Sequence, residues 1–588
     1  MCCSILGGIV YSLAGYVAYT DSPQMLHGAV WAPLVLLFLF RAEHDKSVWN
    51  AVLSGFFLGV TWLVGHHQMQ IFLSLAVLAM WIWVREWRLG AIAVVMTALT
   101  SAFQTLPAAE YGRLAVRWVG ADQPQGLGGT VPYPVHMQYA MKPISLIGIF
   151  VAGVEQGPYN AFVGVVAFTL AILGSVVWWR VRYVRWLAAI GMAAIVFALG
   201  GNSVFHGVLY ALAPLVEKAR VPQAATVIFA MAMAPLVAFG LDGLRESAGP
   251  AVTRNASRIL AGFGALLAFA ALFFYAAKIP IAITDDRMVI TALCALLAAG
   301  LLTTKGLSRF GTIAAIGLVL FELSNVTDYS LATADRKTHP YLYTLADHYD
   351  LAAFVRGRGV PGRIVYDSKA IPYNVGDWYG LEALSTYAAS VPASLWSQPV
   401  FSPRVQDVLG VLYYFGITPQ RPDLQQVFEG RSGVKVFENL KAFPRAWAVH
   451  KSLSVSDWSK ASAMLADPAF DARHEVFLIG EIPPKLATCE GDEVWMPRHH
   501  PNDVLIRATM ACRGMVILSD SWFPGWTATV DGHAKRIEKA YGSFRGVVVE
   551  AGDHTIEMKY RPASVFLGGV LTLVSLGIAS VAFVKKNP

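Results

Sequence analysis

Three separated stretches of an otherwise apolar chain carry polar side chains that could do chemistry together. They are His66 and His67; Glu110, Tyr111, Arg113 and Arg117; and His206, Glu217, Lys218, Arg220 and Gln223. A carboxylate such as Glu110 can take a proton from a hydroxyl nucleophile. An arginine fork binds two phosphate oxygens at once and stabilises charge on a departing phosphate. Arg113 and Arg117 are spaced i, i+4, so they share a face if that stretch is helical. Plainer roles stand beside these. His66 and His67 could be polar turn residues, Glu110 after Leu106-Pro107 could mark an interface, and the two arginines could meet phospholipid headgroups.

The elements that must position these groups are membrane spans. Of 588 residues, 55% are hydrophobic and 14% charged, and the mean hydropathy is +0.50. Repeated long apolar runs make this a polytopic α-helical membrane protein. About twelve spans are expected, near 5–19, 25–40, 48–64, 69–84, 89–106, 159–179, 186–199, 224–241, 259–277, 289–303, 311–325 and 564–584. Alternate loops hold Arg41 and Lys46; Arg85 and Arg88; Arg180, Arg182 and Arg185; Arg245, Arg254 and Arg258; Lys305 and Arg309; and Lys585 and Lys586. The positive-inside rule puts these loops and both termini in the cytoplasm of a bacterial inner membrane. The loops 107–158 and 200–223 and the region 326–563 then lie outside. This placement accounts for the net charge of +7: basic residues beside spans meet anionic membrane lipids, and no aromatic-interleaved groove suggests nucleic acid.

Four regions follow: 1–325 as a helical membrane domain, 326–500 as a mixed α/β region, 501–563 as a small β-sandwich, and 564–588 as a last helix with a tail. Leu351 to Arg358 reads as helix and Arg363 to Tyr366 as strand. In the sandwich, strands are expected near 503–509, 514–519, 526–530, 533–539, 544–550 and 554–560, with Asp531-Gly532 as the positive-φ pair of a tight hairpin. Trp522, Phe523 and Trp526 could stack on sugar, or serve as sandwich core or membrane-interface anchors. Five cysteines show no CxxC spacing, which argues against a zinc site. Cys489 and Cys512 could pair if their region is extracytoplasmic.

LSDSWFPGWTATVDG at 518–532, FRGVVVEAGDHTIEMKYRP at 544–562 and the following span resemble the C-terminal signature of the bacterial YfhO family. GHHQ at 65–68, LPAAEYGRLAVR at 106–117 and RVPQAATVIFAMAMAPLVAFGLDGL at 220–244 resemble it too. The resemblance implies the GT-C fold of membrane glycosyltransferases. It implies a polyprenyl-phosphate sugar as donor and a cell-envelope glycan or polymer as acceptor, and leaves a divalent metal open. Glu110, Arg113, Arg117, Arg220, His66 and His67 are then candidates for holding the donor phosphate, although Gln223-Ala224 stands where the family often has a second arginine. The family's catalytic acid lies on its first outer loop. Here the pattern starts midway, at Tyr11 to Tyr16, so that loop is expected to precede this chain and the chain as given could be inactive. Asp21 falls in a later loop of the pattern. Two other readings stand: a transporter or lipid flippase, for which Glu322 is the clearest intramembrane acid, and a non-catalytic scaffold that binds envelope polymer.

Overall fold

Each expected span overlaps a helix, the conformation in which backbone polar groups satisfy one another. The structure is a computed structural model. It describes residues 2–20, 23–154, 157, 159–213, 216–218, 220–246, 248–279, 285–303, 308–333, 340–360, 362–385 and 387–586. Asp21 lies outside the described residues. The helices are Cys2–Leu13, continued by Gly15–Ala18; Pro23–Asp45; Val48–Trp62; His67–Val84; Trp87–Leu114; Val165–Val177; Arg182–Ala198; Thr226–Glu246; Pro250–Ala276; Asp285–Thr303; Arg309–Thr333; and Ala563–Lys586. Among the described residues, seven helices are long and apolar enough to cross a membrane. Val48–Trp62 and Val165–Val177 are apolar but shorter.

Two helices outrun their apolar stretches. Pro250–Ala276 takes in Arg254 and Arg258, which were expected in a loop; it opens with Pro250 at a position where the missing N–H costs nothing. Trp87–Leu114 runs through Pro107 and carries Glu110, Tyr111 and Arg113 on its last turns. An interior proline removes one helical hydrogen bond and strains the preceding turn. The last helix splints that turn: Thr572 Oγ1 accepts from the Phe103 N–H at 3.1 Å and donates to the Thr100 carbonyl at 3.0 Å. The helices approach closely at Gly568, where a Cβ would sit 2.5 Å from the Ala102 carbonyl oxygen.

One end of the bundle gathers basic loops. Arg182 reaches Glu43 at 2.9 Å and Lys46 reaches Glu86 at 2.8 Å. Arg185 lies over Trp83 and Lys585 over Trp49. At the other end Gln68 donates to the Val221 carbonyl at 2.7 Å, and the Tyr111 hydroxyl meets the Ser390 carbonyl.

Glu322, on the Arg309–Thr333 helix, is a cap rather than a pathway acid. Its oxygens accept from the Val165 and Val166 N–H groups at 2.6 and 3.0 Å, at the start of the Val165–Val177 helix. Gly164 makes room for it: its φ is +81°, and a Cβ there would fall 2.5 Å from the carboxyl carbon. Replacing Glu322 with Ala strands two helix-start donors away from water, a loss of about 2 kcal/mol or more. The detergent-solubilised chain should therefore melt lower as E322A, and less so as E322Q; identical melting of all three would remove the cap from the fold's supports.

The β-rich region is a mixed lobe followed by a two-sheet sandwich. The lobe has the helix Tyr349–Gly357 and a sheet ordered Arg363–Tyr366, Val411–Gly416, Lys435–Glu438, Gln425–Glu429. One sandwich sheet runs Glu493–His500, Asp503–Met510, Gly552–Tyr560, Trp526–Val530, His533–Lys535; the other runs Glu538–Ala540, Phe544–Val549, Gly514–Ser521, Ala446–Val449. The sandwich therefore recruits strands from well before residue 501. The stretch 533–539, expected as one strand, divides between the sheets. Asp531 and Gly532 make the hairpin with φ of 51° and 81°. Val504, Ile506, Ile556 and Met558 face Val516, Leu518, Val547 and Val549 across the dry core. Cys489 and Cys512 are disulfide-bonded.

Charge fastens these sheets together. Asp520, at the end of Gly514–Ser521, meets Arg363 at 3.1 Å, Arg545 at 2.7 Å, His499 at 2.9 Å, and Arg445. Glu382 adds contacts to His499 at 3.0 Å and to Arg445. Burial alone would raise the Asp520 carboxyl; His499 and the arginines hold it well below the usual carboxylate range. Against the same burial, His499 and Arg445 hold Glu382 at about 2. Hydrogen bonds to Asp520 and Glu382 raise His499 to about 9.

Glu382 thus contributes stability that is complete above its unperturbed 4.5 and lost as pH falls towards 2. His499 contributes stability that is complete below its unperturbed 6.5 and lost as pH rises through about 9. Lobe stability should peak between those limits and fall on both sides. D520A, which leaves buried arginines uncompensated, should cost about 3–5 kcal/mol. Thermal unfolding followed by protease protection of 340–560 measures both effects, and a flat pH response with an unchanged D520A transition would show that other contacts hold the lobes.

Candidate functional site

The strand Ala115–Arg117 extends the long Trp87–Leu114 helix and pairs antiparallel with Ser390–Pro392, Arg117 opposite Ser390. A membrane helix is thereby joined to the β-rich region, and Arg117 is delivered to the loop that carries Lys218. Its Nη2 donates to the Lys218 carbonyl at 3.2 Å. Burial lowers its pKa, and the nearby charge of Arg220 lowers it further. Two guanidinium groups thus share one neighbourhood. Among the described residues, no carboxylate lies within ion-pair distance of either.

Arg220 is held by Tyr139. The guanidinium carbon sits 4.6 Å from the ring centroid, and an Nη donates to the phenol oxygen. Arg220 Nε is buried with no hydrogen-bond partner among the described residues. The GHHQ turn reaches the same place, since Gln68 binds the carbonyl of Val221. His66 Nδ1 and His67 Nε2 are likewise buried and unpartnered, and the His67 ring lies 5.5 Å from that of Trp62. The loops 107–158 and 200–223 are clamped by a buried imidazole pair, His136 Nδ1 to His206 Nε2 at 3.2 Å. Burial, then His206, pushes His136 down to about 4, so it is neutral at ordinary pH.

Glu110 and Arg113 stand elsewhere. Glu110 accepts from the Ser564 hydroxyl at the start of the last helix, beneath Tyr560. Arg113 lines a cleft of about 300 Å³ with Trp458, Trp522, Phe523, Lys539 and Glu481, between the helix tip and the sandwich. The Lys539 amine lies 3.9 Å from the Trp522 ring centroid, and the Phe523 ring lies 5.9 Å from that of Tyr111. Trp526 faces inward, with Arg545 stacked on it at 3.7 Å, so of the three aromatics only Trp522 and Phe523 line the cleft. Glu217 and Lys218 form a short turn whose Glu217 carbonyl accepts from the Val131 N–H at 2.8 Å.

Sequence reasoning brought Arg117, Arg220 and the His66–His67 turn to one end of the bundle, and the structure joins them there. It missed Tyr139, whose partnership with Arg220 spans 81 positions. It also passed over Asp520, although that residue sits inside the quoted LSDSW motif; an acid between strand residues and aromatics was the available signal.

A family model described as bacterial membrane protein YfhO matches residues 516–572, from the Asp520 strand into the last helix. No curated protein matches the chain. Among solved structures, the chain aligns with the cryo-EM structure of arabinofuranosyltransferase AftD from Mycobacteria at 10% identity and a TM-score of 0.38, over 95% of this chain and 48% of that one. The chain spans about half the length of that protein, and the likeness is too loose to assign residues. Over its last strands and the start of its last span, the chain is similar to the bacterial membrane protein YfhO family.

Proposed function

We propose that this protein is a glycosyltransferase-like component of the bacterial cell envelope that binds a polyprenyl-phosphate sugar at its outer face. The observation that carries this reading is the Arg117–Arg220 neighbourhood, an exposed and a half-buried arginine with no carboxylate partner among the described residues. Like charges brought together under burial raise each other's cost. A dianionic or monoanionic phosphate between them would relieve it with charge-assisted hydrogen bonds. Gln68 and the unpartnered nitrogens of His66 and His67 would add polar contacts to the head group, while the polyprenyl tail stays in lipid.

The acceptor would lie in the cleft by Arg113, where Trp522 and Trp458 offer faces to sugar rings. Arg113 and Arg117 are one helical turn apart in sequence, so donor and acceptor would meet around the tip of the Trp87–Leu114 helix. Glu110 serves in this arrangement as an anchor for the last helix. A divalent metal remains open as a further neutralising charge. The transporter reading loses its clearest acid, since Glu322 is engaged in capping. The scaffold reading keeps the cleft and drops the transfer step.

The proposed orientation places both termini in the cytoplasm and 326–563 outside. The disulfide suits that side, where oxidising conditions preserve it.

Binding of undecaprenyl phosphate to the full chain in detergent, followed by native mass spectrometry, tests the site. R117A and R220A should each weaken binding at least tenfold, about 1.4 kcal/mol, while undecaprenol without phosphate should bind all forms equally and weakly. Equal phosphate binding by wild type and both variants sinks the arginine site. Incubation with a panel of polyprenyl-phosphate sugars then separates enzyme from scaffold: binding without transfer supports the latter.

A further inference from the structure

One side-chain cluster in the β-rich region plays no part in the proposed transfer. His450 follows the Ala446–Val449 strand, and its Nδ1 lies 3.6 Å from Cys489 Sγ and 3.5 Å from Cys512 Sγ. The same nitrogen contacts the Ala487 carbonyl at 2.9 Å, and Nε2 meets Asp492 at 2.5 Å. His450 and both cysteines are half-buried, and their candidate ligand atoms lie within 4.8 Å of one another. Asp492 also accepts from the Ala511 N–H at 2.8 Å, which ties the strand beside Cys512 into the group.

The two nitrogen–sulfur spacings are those of metal ligands, and the sulfurs reach such a spacing once the bond between them is broken. With zinc–sulfur bonds of about 2.3 Å and zinc–nitrogen bonds of about 2.0–2.1 Å at a tetrahedral angle, a ligating nitrogen and sulfur stand about 3.5 Å apart. Metal-bound histidines commonly give their other ring N–H to a carboxylate, which fixes the tautomer and raises ligand basicity. Asp492 is placed to do this. The cysteines are 23 positions apart and the histidine precedes both, so no spacing motif reveals the set; strand pairing assembles it.

We propose that the Cys489–Cys512 bridge is convertible, and that in its reduced form the two thiolates and His450 Nδ1 bind a thiophilic divalent cation of the Zn²⁺ type, with Asp492 orienting the imidazole. A protein dithiol of the extracytoplasmic thiol-exchange class supplies two electrons and two protons and is itself oxidised to a disulfide. Both cysteines become thiols. The cation then displaces to solvent the two thiol protons and the Nδ1 proton that the Ala487 carbonyl accepts, and the freed Nδ1 lone pair turns to the metal while Nε2–H stays on Asp492. Water fills the fourth position. The bridge and the cation thus exclude each other while tying together the same segments.

Cobalt(II) is the probe. The full chain in detergent is reduced with a water-soluble phosphine, which takes oxygen from water to become its oxide as the bridge gains two electrons and two protons. Added Co²⁺ should then give thiolate-to-cobalt absorption saturating at one equivalent, reversed by Zn²⁺. The oxidised chain should lack the band, as should a C489S/C512S chain, which keeps the buried Cys3 and Cys294. H450A should weaken Co²⁺ binding at least tenfold and D492N should weaken it by a smaller factor. D492N keeps the test valid if H450A misfolds. A reduced wild type that absorbs no more than the double-serine chain, or binding untouched by both H450A and D492N, overturns the proposal.

Discussion

Asp520 is the constraint on which the arrangement depends. A single buried carboxylate draws Arg363 from the mixed lobe, Arg445 and Arg545 from one sandwich sheet, and His499 from the other. Removing two or more charges from water is costly, and their attraction offsets that only when geometry and extra hydrogen bonds cooperate. Here Ser519 supplies some of those bonds, accepting from Arg363 and Arg445. Hydrophobic layers tolerate sliding; directional contacts to one carboxylate do not. The lobes are thereby set at one angle.

That angle reaches the membrane. The strand Gly552–Tyr560 belongs to the sandwich and leads within three residues into the last helix. Ser564 at its start binds Glu110, and Thr572, about two turns further in, splints the helix ahead of Pro107. The same Trp87–Leu114 helix ends in the strand that carries Arg117. A chain of packed elements therefore runs from Asp520 to the arginine pair, with the Ser390–Pro392 strand as a second, shorter link. Both links act on the position of Arg117, and neither touches a ligand. A site built this way is held by its supports rather than by its own contacts, which suits groups of like charge that would otherwise separate.

What was legible in the sequence was local. Apolar runs marked the helices, and Asp531-Gly532 marked the hairpin, because each depends on neighbours a few residues away. The helix through Pro107 was not legible, since the hydroxyl that tolerates it comes from Thr572. The division of 533–539 between two sheets was hidden for the same reason: a strand's partner is set by long-range pairing, and the residue pattern within the stretch is too short to show a break. In the candidate site, residue type pointed to Arg117 and Arg220, but Tyr139 and the absence of a nearby carboxylate among the described residues depend on where separate loops land. Glu110 illustrates the converse. Its chemistry suited a general base, yet its neighbours make it an anchor.

The two arginine groups also show opposite solutions to one electrostatic problem. Around Asp520, several cations converge on acids, and the result is satisfied enough to hold three sheets. Around Arg220, the cations have aromatic and carbonyl partners only, among the described residues. A tyrosine face and a backbone carbonyl lower the cost of a buried guanidinium without neutralising it. Had these loops needed only rigidity, an acid in either loop would have supplied it, as Asp520 does elsewhere in the same chain. The His136–His206 pair, neutral under burial, already clamps those loops without adding charge. The arginine pair therefore presents positive charge that no acid among the described residues balances, which is the condition the proposed phosphate site requires.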